Sequence, residues 1–484
     1  MASFRILSRL PILTPTIWAT IQTVFMQGFG FLLFAIQAPV IGPRAFGLLS
    51  IVMVFVGFAE SVLSDTAYET LLSMREITAE HYETMNTVCA VASMLFGVAI
   101  FAGASRIATW FGEPELIPVL HLMAFIPLFT SMAAAPIAVS KREMQFRPLA
   151  IRTIVSLLFG GATGIILTFL DFGVWALVWQ SLVQKLLAVI ILWYTVPIGF
   201  RLGYSRRHLA DFWQVAPQLL LSRTMNWGSG QIPRFVLGLY VGATDLGIFS
   251  LASRLSDIVV QVILVPRYAV ARMELRRHEA DRSRLDAALR QVVFNYSFIS
   301  FPLCVGGAVL MPTVFHLWLD ARWSAGVVPA QLLLLTCIPM VSSYTVGALL
   351  LAFNRQTAEA MVATAQTIAS LLAVVVAAPF GLNAAVAAIA ARPLLILPLP
   401  LLAAKTKCNI SINAILAPQI PLLVCAVIMG VAVAASRFFL VGLRSDAILL
   451  VALTMIGAAT YALAVAVMLP RVARETVQRL ANLF

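Results

Sequence analysis

Residues 41–65 read IGPRAFGLLSIVMVFVGFAESVLSD. A Gly-Pro turn signal at Gly42 and Pro43 opens the stretch, and about twenty mostly apolar residues follow it. As a helix, that length crosses a hydrocarbon core of roughly 30 Å. A membrane β-strand would instead alternate apolar and polar residues over about ten positions. Runs of the same kind recur along the whole chain, at approximately 14–37, 46–64, 86–105, 116–138, 153–170, 174–196, 212–241, 247–265, 291–312, 326–351, 360–379, 383–403, 414–436 and 447–469. The reading is an all-α polytopic membrane protein with about fourteen transmembrane helices. The seventh run is long and interrupted by Pro217, Arg223, Gly228, Gly230, Pro233 and Arg234.

Composition agrees. Of 484 residues, 61% are hydrophobic and 11% charged, against about 25% charged in soluble domains. Mean hydropathy is +0.95. Such a chain cannot cover itself with polar surface, which excludes a soluble enzyme, a disordered chain and a secreted disulfide scaffold. Cys89, Cys304, Cys337 and Cys425 fall inside apolar runs, and Cys408 lies in a short basic loop. Their spacing indicates neither a disulfide framework nor a metal site. The five histidines are scattered, and no zinc-protease, P-loop or dinucleotide motif is present, so no cofactor is indicated. Arg5 and Arg9 precede a long apolar stretch without a small-residue cleavage site, which reads as a retained first span.

Net charge is +12. In a soluble protein that would suggest nucleic acid. Here the basic residues follow topology, and no nucleic-acid partner is expected. With the N-terminus in the cytoplasm, 23 of the 33 Lys and Arg residues fall in inside segments, five in outside segments and five in spans. The outside five are Arg44, Arg106, Arg322, Arg437 and Arg444. This asymmetry satisfies the positive-inside rule and puts both termini in the cytoplasm. An anionic lipid surface near the basic 266–290 loop is a secondary reading. All outside loops are short, so the function is expected within the bilayer.

The chain also repeats. Residues 41–50, IGPRAFGLLS, match residues 241–250, VGATDLGIFS, at Gly42/Gly242, Gly47/Gly247 and Ser50/Ser250. Residues 171–178, DFGVWALV, match residues 379–386, PFGLNAAV. The offsets, 200 and 208, describe two six-span halves of the same orientation, an arrangement of parallel repeats. The division expected is 1–200 and 201–405 for the two six-helix lobes, and 406–484 for two further helices and a cytoplasmic tail.

Residues 241–262, VGATDLGIFSLASRLSDIVVQV, resemble the signature after the seventh span of Wzx-type bacterial polysaccharide flippases. Residues 41–65 resemble its first-half counterpart, and residues 145–182 resemble the fifth and sixth spans. The likeness is closest to the exopolysaccharide and succinoglycan transport branch, within the superfamily that also holds multidrug extruders and lipid II flippases. It covers most of residues 1–300. It implies a two-lobed helical transporter of the bacterial inner membrane that works by alternating access. The substrate implied is an oligosaccharide repeat unit on undecaprenyl pyrophosphate, and polymerase and export proteins of the same pathway are implied partners beside membrane lipids. One departure is Pro233, which precedes Arg234 where the family often carries an acidic or polar residue.

The expected spans hold five cations, Lys185, Arg223, Arg234, Arg254 and Arg392, and two acids, Glu60 and Asp257. On insertion scales each costs about 2.5–3.5 kcal/mol at a helix centre, so most should face a wet cavity or a partner. The positive excess suits a pyrophosphate. Arg223, Trp227, Gly230, Gln231 and Arg234 share one helical stripe: two cations, an aromatic plate for a sugar, a backbone opening and an amide. Arg234 lies nearer the outside end and can snorkel, whereas Arg223 is deeper and is expected to meet substrate with no packing partner. Arg254 and Asp257, three apart, can pair on one face of span eight. Arg392 has no obvious local partner. Lys185 lies near the inner half of span six and can snorkel. Glu60 is an ion-coupling candidate, or the partner of a cavity arginine. Asp65 reads as solvated at a span edge. Trp175, Trp179, Trp193 and Tyr194 read mostly as interface anchors, with Trp179 and Gln180 as sugar contacts.

Two other readings remain open. A multidrug cation antiporter of the same architecture would need membrane acids, which the cations outnumber. A membrane polymerase or acyltransferase would need a catalytic cluster in a sizeable loop or pocket, and His316 is the one histidine in an outside segment.

Overall fold

A computed structural model describes residues 15–74, 77–196, 201–279, 281–440 and 446–470. The readings on Arg5, Arg9, Arg444 and the tail from residue 471 lie outside them. Among the described residues there is no strand, and helices occupy nearly all of the chain. Thirteen helices are long and apolar enough to cross a membrane. One of them, Ala216–Arg277, contains Gly242 at φ 81° and ψ 177°, which is not helical and divides it in two. Fourteen spans result, as expected.

Spans one to six are Ile17–Ile41, Pro43–Ser73, Ala79–Phe111, Leu116–Arg142, Phe146–Phe169 and Val174–Thr195. A short helix, Arg206–Trp213, leads into span seven, 216–241, and span eight runs over 243–277. Spans nine to fourteen are Arg282–Trp318, Ala321–Ala352, Gln356–Phe380, Leu382–Cys408, Ile412–Leu440 and Asp446–Met468. Three details correct the expected boundaries. Span two continues nine residues past its apolar run to Ser73. Residues 266–290 are two helical extensions joined by a brief turn rather than a loop. Arg152 lies inside span five, although it falls one residue short of the expected run.

That turn has its own cap. The Asp281 carboxylate accepts from the backbone N–H of Ser283 and Arg284 and from the Ser283 hydroxyl, satisfying free donors at the start of span nine. These bonds, the Ser283 hydroxyl foremost, hold the exposed carboxyl below its usual range.

The spans gather into two compact units, 1–247 and 248–484. In the first, Gln37 donates to Gln180 at 2.7 Å and to Thr168 at 3.3 Å, tying spans one, five and six together. Gly164 leaves the space: a Cβ there would lie 2.0 Å from the Gln180 Oε1. In the second, spans nine, ten, thirteen and fourteen share a core that includes Tyr296, Phe301, Leu349 and Leu422. Gln419 donates to Ser342 at 2.8 Å, and the Tyr461 hydroxyl to the Phe298 carbonyl at 2.9 Å.

The duplication is visible in the backbone. Gly42 stands at φ 83°, ψ 169° and Gly242 at φ 81°, ψ 177°. This region is open to glycine at little cost, so the same residue starts spans two and eight. Each of these spans then carries one π-helical stretch, Ala59–Ser64 and Val260–Leu264. Spans four and ten both end at a left-handed residue, Met144 at φ 55° and Asn354 at φ 54°. Gly173 and Gly381, both at positive φ, precede spans six and twelve. Four landmarks thus recur in order, at offsets near those read from the sequence. This repetition supports halves 1–200 and 201–405 as a proposed division. The compact units rest on packing, by which span seven sits with the first unit.

Within the first unit, the first turns of spans two and eight touch backbone to backbone. A Cβ on Gly47 would lie 1.6 Å from the Ala243 carbonyl oxygen, and one on Gly247 would lie 1.9 Å from that of Pro43. The two contacts are reciprocal, each joining a residue of one repeat to the counterpart position in the other.

Candidate functional site

The π turn in span two opens the site. There the Asp65 N–H reaches back five residues to the Glu60 carbonyl, a local widening that often marks functional helices. Beyond it the helix carries Asp65, Tyr68 and Glu69 toward its C-terminal end. Four cations from other spans face this row. Lys185 of span six meets the Glu60 Oε1 at 2.7 Å. Arg223 of span seven holds Glu69 with two nitrogens: Nε donates to Oε2 at 3.0 Å, and Nη2 to Oε1. Arg223 Nη1 also lies 4.0 Å from the Asp65 carboxylate. Lys141 at the end of span four sits 4.1 Å from the centre of the Tyr68 ring, a cation–π contact. Arg142 donates to the carbonyls of Leu71 and Met74 at 3.1 and 2.6 Å, closing the last turn of span two.

The Arg223 and Glu69 side chains are 29% and 25% exposed, so the pair is largely withdrawn from water without being sealed. The surroundings are polar. The hydroxyls of Ser64, Thr66 and Ser140 are buried and have no hydrogen-bond partner among the described residues. Above Arg223 the Trp227 indole packs edge-on against Phe58, with ring centroids 5.1 Å apart, beside Gly57. Its buried N–H has no acceptor among the described residues. One turn further, Arg234 donates to Gln231 at 3.2 Å. Of the residues expected to form a stripe on span seven, Arg223 is engaged by Glu69 and Arg234 by Gln231.

Residues 36–328, more than half of the chain, match the family described as polysaccharide biosynthesis protein. The chain belongs to that family. The succinoglycan biosynthesis transport protein ExoT of Rhizobium meliloti (strain 1021) is 25% identical over 66% of this chain. The lipopolysaccharide biosynthesis protein WzxC of Escherichia coli (strain K12) is 19% identical over 70% of this chain and 69% of its own length. The chain spans 61% of the length of ExoT. Among solved structures, a lipid II flippase MurJ in an inward closed conformation aligns at a TM-score of 0.73 over 94% of this chain and 99% of its own, at 14% identity. That likeness shows a shared fold. The Wzx-type resemblance seen in residues 41–65, 145–182 and 241–262 is borne out.

Set in this polysaccharide biosynthesis protein, several expectations need correction. Arg223 does not lack a partner; Glu69 and Asp65 face it, and removing it would strand two acids. Lys185 is not a snorkelling residue but the counter-charge of Glu60. Asp65 is not simply solvated. Gln180 is committed to Gln37 and Trp193 to the Met132 carbonyl, at 3.1 Å, so Gln180 is a packing residue, not a sugar contact. Tyr194 and Trp179 are exposed, as anchors would be.

Glu69 and Tyr68 escaped the sequence reading because the apolar run of span two ends near Ser64. The spacing of Asp65 and Glu69, four apart on one helical face, was the signal available. Arg152 escaped in the same way, one residue short of its expected span. It is half-buried and forms no hydrogen bond or ion pair among the described residues. In the second unit Arg392 is also half-buried in span twelve, and it too has no such partner among the described residues. Arg254 and Asp257 are exposed on span eight, and neither is free of partners. The positions of span eight that repeat Glu60, Asp65 and Glu69 are Val260, Val265 and Ala269. The acidic row belongs to the first half alone.

Proposed function

We propose that this protein is a flippase that carries an undecaprenyl-pyrophosphate-linked oligosaccharide repeat unit across the bacterial inner membrane, by alternating access, for exopolysaccharide assembly. The charge balance along the spans carries this reading. Each acid on the inner part of span two already faces a cation, while Arg152 and Arg392 face no counter-charge among the described residues. The surplus is positive, which suits a pyrophosphate and gives a cationic drug no free carboxylate on span two. Family membership and the lipid II flippase fold support the same reading.

In this account Arg392 and Arg152 supply the standing positive field. Arg223, Arg234, Gln231 and Trp227 form the contact stripe on span seven, and Arg254 on span eight is a further substrate-binding candidate. The phosphates compete with Glu69 and Asp65 for Arg223, so substrate entry and release of the carboxylates are linked. A guanidinium suits both partners because its planar fork binds either bidentately. Glu60 and Asp257 are the ion-coupling candidates. Depleting the protein from its host should accumulate lipid-linked oligosaccharide on the cytoplasmic face of the membrane; accumulation on the outer face would exclude the flippase reading.

Two further results are expected. Reporter fusions after Lys407 should read cytoplasmic and fusions near Asp320 periplasmic, from the basic asymmetry. The reverse pattern would invert the topology. Glu60→Gln keeps the side-chain shape and leaves Lys185 without its counter-charge. Transport should fall, and its dependence on pH and membrane potential should flatten. In Glu60→Gln/Lys185→Gln, protein abundance should recover while the flattened dependence persists. An unchanged dependence in the single variant assigns Glu60 a structural role.

A further inference from the structure

In the second unit, the basic ends of spans eight and nine leave a groove of about 330 Å³ between helices Val265–Arg277 and Arg282–Trp318. By the positive-inside rule this is the cytoplasmic end. Val270, Ala271, Ala288 and Val292 form an apolar floor, and Arg267, Gln291 and Asn295 stand at the polar side. Arg267 makes no hydrogen bond or ion pair among the described residues. Gln291 donates one amide hydrogen to the Asn295 Oδ1 at 3.0 Å, which leaves its second hydrogen and the Asn295 amide as donors. Tyr296, 1% exposed, lines the groove, and its hydroxyl has no hydrogen-bond partner among the described residues. Glu274 also lines it, but the Arg277 guanidinium at 3.9 Å offsets its charge, and the His278 Nε2 lies 3.5 Å away. Over residues 266–290 the chain holds seven arginines against four acids.

A lone guanidinium with amide donors is a receptor for a phosphate. An apolar floor beneath it suits something that a free phosphate does not carry. We propose that this groove binds an anionic glycerophospholipid of the cytoplasmic leaflet, with the phosphate on Arg267, Gln291 and Asn295 and the glycerol and first methylenes on the floor. The site is independent of the transported substrate and ties span eight to the surrounding leaflet.

The test uses the purified full-length chain in detergent micelles at low salt, titrated with phosphatidylglycerol bearing a fluorescent acyl chain. Phosphatidylglycerol should bind about fivefold or more tightly than phosphatidylcholine, the margin one basic side chain typically gives at a charged lipid. Arg267→Gln should erase that preference, and Arg276→Gln, exposed and outside the groove, should keep it. Ala288→Trp fills the floor, keeps every charge and should also erase it. Should Arg267→Gln melt early, Ala288→Trp and Gln291→Leu carry the same comparison. A preference that survives Ala288→Trp places the lipid elsewhere and overturns the proposal. Equal binding of phosphatidylcholine, or displacement of the lipid by equimolar inorganic phosphate, overturns it too.

Discussion

Gly47→Ala is expected to destabilise the protein severely. The added Cβ would lie 1.6 Å from the Ala243 carbonyl oxygen and 2.5 Å from its carbon. Both are backbone atoms of a helix start, so no rotamer change relieves the overlap. Overpacking a core ordinarily costs about 1–3 kcal/mol. A clash with main chain forces the helices apart and should exceed the upper end of that range, against a total margin of about 5–15 kcal/mol. Small residues at such crossings are how membrane helices gain close packing without a hydrophobic driving force. Gly247→Ala meets the Pro43 carbonyl in the same way and should behave alike. Gly28→Ala, with nothing within 4 Å of the new Cβ, is the control and should leave abundance and melting unchanged. Abundance in membranes and fluorescence-detected melting in detergent read all three. Normal melting of Gly47→Ala would mean that spans two and eight do not meet as described.

The second large effect concerns the Arg223 and Glu69 pair. Arg223→Ala leaves Glu69 and Asp65 facing each other in a polar but poorly hydrated place. Breaking a buried pair by removing one partner costs about 3–5 kcal/mol. With each side chain about a quarter exposed, a loss of roughly 2 kcal/mol is expected instead. Removing both partners should cost less than removing Arg223 alone, because no uncompensated charge remains. The exchanged variant Arg223→Glu/Glu69→Arg should recover abundance, yet it should not recover transport, since the cation then sits on span two rather than span seven. Recovery of transport by the exchange would reduce the pair to a fastener. Equal melting of Arg223→Ala and the native protein would remove the ion pair from the account.

Much of this architecture was legible in the residues, and the reason is physical. A bilayer imposes length and apolarity on each span separately, so local sequence reports each one. The repeat was legible at Gly42 and Gly242 because positive φ is costly for other residues. Pairing was not legible. Glu60 meets Lys185 and Arg223 meets Glu69 across 125 and 154 positions of chain, and neither partner betrays the other by spacing. The π turn leaves no trace in hydropathy, so span two appeared to end before its most charged part. Arg392 was read as partnerless and is so among the described residues. Arg223 was read as partnerless because its counter-charge lay beyond an underestimated helix end.

The most direct measurement is translocation of a fluorescent undecaprenyl-pyrophosphate-linked oligosaccharide in vesicles holding the purified protein, followed by quenching of the label exposed outside. The account predicts protein-dependent flipping that falls at least about tenfold in Arg392→Ala, a variant expected to fold normally because its side chain gives up no ion pair among the described residues. It also predicts that a lipid-linked sugar without the pyrophosphate is carried poorly. Undiminished flipping by Arg392→Ala, or equal transport of the uncharged analogue, would contradict the claim that surplus positive charge within the spans recognises the substrate.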